Sequence, residues 1–94
     1  MVQMQKVSGV ATKVIRQPGL LIVRYHSTDV VIVDRGEITL NTGGWKTATT
    51  KNRMNQAAAE FRLNYRVYQM NGNWYVLWNG VEYPFTGDSI TLNG

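Results

Sequence analysis

The chain has 94 residues, no cysteine, a single histidine and a formal net charge of +4. That length allows one domain, and the absence of thiols excludes a disulfide framework and thiolate metal sites. Its 44% hydrophobic, 11% aromatic and 17% charged residues are those of a folded globular chain, one too short to enclose a deep active site.

His26 alone cannot build a multi-histidine ligand set, so no metal or cofactor is expected. The opening MVQMQKVSGVATKVIRQPG has no apolar run of signal length, and no window approaches the ~18 apolar residues of a membrane span. A soluble, cytoplasmic protein with no membrane partner is the expectation. The charge is unevenly distributed. Lys6, Lys13, Arg16 and Arg24 stand without an acid in residues 1–24. Lys46, Lys51, Arg53, Arg62 and Arg66 outweigh Glu60 in residues 46–66. The intervening and final segments are acidic, so a basic face able to attract polyanions is expected.

Residues 1–9 show no period and are expected to form an arm ahead of a single α+β domain over 10–94. Residues 10–16 can add an edge strand. GLLIVRY (19–25) is apolar and β-branched and follows a Pro18-Gly19 turn signal. HSTD (26–29) reads as a polar connector. VVIVDRGEITL (30–40) then reads as two strands joined at Arg35-Gly36, where glycine supplies the positive φ of a hairpin turn.

The helix follows. Met54, Ala57, Ala58 and Phe61 recur at the α period, with Thr47, Thr49 or Thr50 as cap and Arg62 near the negative pole of the dipole. Helical geometry places Lys51, Asn55 and Arg62 along one edge of the stripe, Asn55 pointing outward, and Arg53 with Gln56 and Glu60 on the other.

In the last third, Asn71-Gly72 and Asn79-Gly80 are type I′ turn dipeptides between alternating apolar residues. Counting from two-residue loops sets Tyr68 against Tyr75, Val67 against Val76 and Trp74 against Phe85. One face then carries Tyr65, Val67, Trp74, Val76, Trp78, Val81, Tyr83 and Phe85 as core. The other carries Arg66, Tyr68, Met70, Tyr75, Leu77, Glu82 and Pro84. The tetrapeptide ITLN occurs at 38–41 and 90–93, too short to define a repeat. The expected architecture is α+β: a small antiparallel sheet of about six strands, βββ-α-βββ, with one helix packed on one face.

Two constellations suggest binding. GGWKT leads a glycine pair into a helix start, where free N–H groups, Lys46 and the threonines can receive an anion. It is not a P-loop, since Trp45 separates Gly44 from Lys46. A structural alternative is that Gly43-Gly44 make a turn, Trp45 plugs the core and the threonines cap. The second constellation is Tyr68 and Tyr75 with Arg66 on one sheet face, a platform for unpaired bases or simply a stabilising cross-strand pair. Catalysis has little basis: Asp34 and Glu37 flank a turn, where acids serve local hydrogen bonding, so a non-enzymatic protein is expected.

The stretches LNTGGWKTATTKNRMNQ (40–56) and YRVYQMNGNWYV (65–76) resemble a family of small bacteriophage proteins that share the pattern LNxGGW[KR]T.TTK.R.NQ. The resemblance implies a phage protein and names no catalytic residue. Small phage proteins act as nucleic-acid binders or as inhibitors of host machinery, anti-CRISPR proteins among them. The expected partner is therefore nucleic acid or a host nucleic-acid-processing complex. Contacts are expected at Gly44, Trp45, Lys46, Thr47, Thr50, Lys51, Arg53, Asn55, Arg62, Arg66 and Tyr68. Edge strands offer self-pairing without fixing an oligomeric state.

Overall fold

A computed structural model describes residues 12–92; the arm expected over 1–9 lies outside them. Four strands come first: β1 (Thr12–Gln17), β2 (Leu20–Tyr25), β3 (Thr28–Asp34) and β4 (Glu37–Asn41). Helix α1 (Ala48–Phe61) follows, then β5 (Tyr65–Met70), β6 (Asn73–Trp78), β7 (Val81–Pro84) and β8 (Ser89–Leu92). The α+β class with antiparallel pairing and one helix holds. The expectation of about six strands in one sheet does not, because eight strands form two sheets, β1-β2-β3-β4-β8 and β5-β6-β7.

The two added strands are β1, the edge strand that residues 10–16 can supply, and β8. The HSTD segment is not a four-residue connector: Tyr25 already pairs with Thr28, leaving His26-Ser27 as the turn, with His26 at φ 56°. The chain end also returns to the first sheet. There the two ITL triplets pair with each other, Ile38 with Leu92, Thr39 with Thr91 and Leu40 with Ile90. Antiparallel register about the Thr39–Thr91 centre sets isoleucine against leucine on both sides, and the threonine hydroxyls meet at 3.3 Å.

Turn chemistry sets the remaining hairpins. Arg35-Gly36, Asn71-Gly72 and Asn79-Gly80 all have positive φ at both central residues, the type I′ geometry that matches strand twist. The counted pairs Val67–Val76 and Tyr68–Tyr75 are both formed, and across the second turn Val76 pairs with Tyr83. Phe85 lies just past β7, its N–H donating to the Trp74 carbonyl at 2.9 Å and its ring edge-on to the indole at 6.0 Å.

A register shift in β2–β3 between Val23 and Arg24 inserts Val30 as an extra residue, so Val30 and Val31 are both buried. The core joins Val23, Val31 and Leu40 of the first sheet to Val67, Trp74 and Val76 of the second, with Met54, Ala57 and Ala58 from α1. Because α1 packs on β5, β3 and β2, cover falls away towards β7. Tyr65 is buried, Trp78 half-buried, and Val81, expected in the core, is 49% exposed.

Candidate nucleic-acid interface

The segment between β4 and α1 is organised by its own polar groups. Asn41 Oδ1 accepts from the Gly43 N–H, and Thr42 Oγ1 accepts from the Gly44 N–H. Thr42 in turn is anchored to the Asp88 carbonyl through its N–H at 2.7 Å and its hydroxyl at 3.2 Å. Gly43, at φ 63°, lies against the β2–β3 turn so closely that a Cβ there would come within 2.5 Å of Thr28 Oγ1. A side chain is excluded by both conformation and space. Gly44 has open space around it.

Thr47 is the N-cap, its Oγ1 accepting from the Thr50 N–H at 3.2 Å, a contribution of ~1 kcal/mol. Thr50 extends the helix stripe one turn before Met54 and is 1% exposed, so it reaches a ligand only from beneath the surface.

Trp45 does not plug the core. It is 69% exposed, whereas Trp74 and Phe85 are the buried rings and pack edge-on against each other.

The cations of the segment point to two flanks of the helix start. On the side of the second sheet, Lys46 Nζ donates to the carbonyls of Phe85 (2.9 Å) and Thr86 (3.1 Å) and lies 5.6 Å from the Phe85 ring centre. Lys51 Nζ lies 5.8 Å from the Trp74 ring centre. Asn55, expected to point outward, does not. Its amide donates to the Val67 carbonyl and accepts from the Val67 N–H, both at 2.8 Å. The amide thus replaces a neighbouring strand on the outer edge of β5.

On the other flank, Arg53 donates to Thr12 Oγ1 and Gln56 Oε1 and lies 5.6 Å from the Tyr25 ring. Lys46, Lys51 and Arg53 thus rest on neutral partners: main-chain carbonyls, a threonine hydroxyl, a glutamine amide and ring faces. A short ion pair joins Arg24 to Asp29, at 2.6 Å.

The other expected contacts lie elsewhere. Arg62 is the exposed C-cap at φ 55°, about 22 Å from Thr47 at the ~1.5 Å helical rise per residue. Arg66 and Tyr68 lie on the face of β5 turned away from the core. There Tyr68 stacks on Tyr75 at 5.6 Å, beside exposed Met70 and Leu77.

Between the β2–β3 turn and the segment ahead of α1 lies a cavity of about 380 Å³. Tyr25, His26, Ser27 and Thr28 line one side; Trp45, Thr47 and Thr50 line the other. Sequence reasoning did not find the first four. The sole trace of the contact is the glycine at 43, which must lack a side chain because Thr28 is there.

Among the described residues no group of acids and histidine is placed to hold a metal ion, and no helix is long and apolar enough to cross a membrane. Burial without an ionic partner raises the Tyr65 phenol well above its ordinary pKa; its O–H donates to the Met54 carbonyl at 2.6 Å. The family model described as Kyanoviridae Gp96 protein matches residues 1–91. No curated protein and no solved structure matches.

Proposed function

We propose that this chain, which belongs to the Kyanoviridae Gp96 protein family of bacteriophages, is a non-enzymatic accessory protein that binds nucleic acid around the start of α1. The observation that carries the reading is Trp45, 69% exposed on a segment flanked by Lys46, Lys51 and Arg53. A large ring open to solvent beside several cations is the pairing used to hold a strand: charge tracks the phosphates and the ring stacks a base. Carbonyls and ring faces hold the two lysines in place without neutralising them.

Titration of labelled single- and double-stranded oligonucleotides across a salt series tests this. Affinity is expected to fall steeply with salt, with a log–log slope of ~0.7–0.9 per phosphate contacted. The double change Lys51→Glu, Arg53→Glu should remove most of the binding. Salt-independent affinity, or none at all, sinks the reading.

A second reading is an inhibitor of a host defence complex acting by protein–protein binding. It is favoured by the uncovered outer face of β5-β6-β7, where Tyr68, Tyr75, Met70 and Leu77 form an apolar patch beside Arg66. Capture of a host complex that survives nuclease treatment and the charge-reversed double variant supports it over the first.

A further inference from the structure

We propose that the cavity between the β2–β3 turn and Trp45 takes a single unstacked nucleobase from a bound strand; the inference rests on the nucleic-acid reading above. At about 380 Å³ the cavity is at the small end of the roughly 300–1,000 Å³ of small-molecule sites. That suits one base with part of its sugar better than an extended ligand. The lining is aromatic and hydroxylic: Tyr25, His26 and Trp45 supply rings, and Ser27, Thr47 and Thr50 supply hydroxyls. Among the described residues no Asp, Glu, Lys or Arg lines it. A phosphate would meet no fixed charge there, whereas a neutral planar group with a polar edge meets both ring faces and hydrogen-bonding partners.

Two further facts favour a planar group. The Tyr25 ring is braced, with the His26 ring at 4.4 Å and the Arg53 guanidinium at 5.6 Å, so that wall is set before anything binds. At the inner end, Thr50 is 1% exposed and its Oγ1 accepts from the Thr47 hydroxyl. Its own O–H is left to donate to an acceptor such as a base carbonyl or ring nitrogen. A pyranose could also stack on Trp45. Sugars are, however, usually held through paired hydroxyl contacts to carboxylate or amide side chains, and the lining has none.

The test compares a short single-stranded oligonucleotide with an abasic strand of the same length, on the full chain, and adds nucleosides and simple pyranosides as small probes. The ordinary strand should bind more tightly by roughly 5- to 150-fold, the range that base–aromatic stacking gives on alanine substitution. Trp45→Ala should erase that difference and Trp45→Phe should keep most of it.

Equal affinity for both strands, unmoved by Trp45→Ala, overturns the base pocket and leaves the nucleic-acid reading standing. Nucleoside quenching that Trp45→Ala abolishes, with no affinity for either strand, overturns both the strand reading and the strand-borne base and leaves a site for free nucleosides. No response to any strand or nucleoside overturns both, and saturable binding of a pyranoside alone overturns the base assignment.

Discussion

The two flanks of the α1 start use similar residues in opposite ways. Towards the second sheet, Lys46, Lys51 and Asn55 hold carbonyls, ring faces and a strand edge. Towards the β2–β3 turn, Trp45 stands open beside a cavity whose described lining is aromatic and hydroxylic. The cations expected as contacts also brace the fold, and Trp45, expected either as a contact or as a core plug, stands open. Long cationic side chains lie over buried aromatics because their stems are apolar and their heads reach neutral acceptors at the rim.

The largest effect is expected at Asn55. Its side chain satisfies both polar groups of Val67 on the open edge of β5. Asn55→Ala leaves two partly buried groups without a partner, at ~1–3 kcal/mol each. A loss of about 2–4 kcal/mol in chemical denaturation is expected, with Asn55→Asp intermediate because it keeps the acceptor and loses the donor. A loss below about 1 kcal/mol would mean that water replaces the amide and that Asn55 is available to a ligand after all.

A smaller effect, confined to alkaline solution, comes from Tyr65 beneath the same flank. Burial raises its folded-state pKa above the ordinary value of ~10. Above about pH 10 the unfolded chain releases the phenolic proton and the folded chain keeps it. The unfolded state then binds fewer protons, so stability falls as pH rises, by up to ~1.4 kcal/mol per pH unit from this group. The contribution is fully present below about pH 10. Denaturation midpoints followed from pH 8 to 11.5 should therefore fall more steeply in the native chain than in Tyr65→Phe. Parallel curves would show that the phenol reaches solvent.

How far the sequence reached follows from the range of each interaction. The Asn-Gly and Arg-Gly hairpins, their register and the Met54–Phe61 stripe depend on residues a few places apart, and their patterns are visible in the chain. Thr47 as cap was one of three hydroxyls offered, and only the geometry selects it. The return of β8 to β4 spans some fifty residues, and the matching ITL triplets that encode it are too short to separate from ordinary strand composition. The site was legible as a segment and not as a surface. Its cations lie in the right stretch, but their direction depends on Trp74, Phe85, Tyr25 and Val67, which the fold brings in from both sides. The cavity is made by Thr28 meeting Gly43, a contact that no period or motif announces.

The smallest expected effect is also the sharpest test of the comparison. Lys46→Met removes two hydrogen bonds to main-chain carbonyls and a cation–ring contact. Because the Thr86 side of that contact is open to water, the loss should be modest, ~0.5–1.5 kcal/mol. Trp45→Ala removes a far larger side chain but one already in solvent, so its cost should stay within ~0.5 kcal/mol. Measured side by side, the lysine should matter more to stability than the tryptophan, and the tryptophan more to strand binding than the lysine. A Trp45→Ala cost of several kcal/mol would instead mean that the indole packs inside the protein in solution. It would then be a core plug, with no ring left to receive a base.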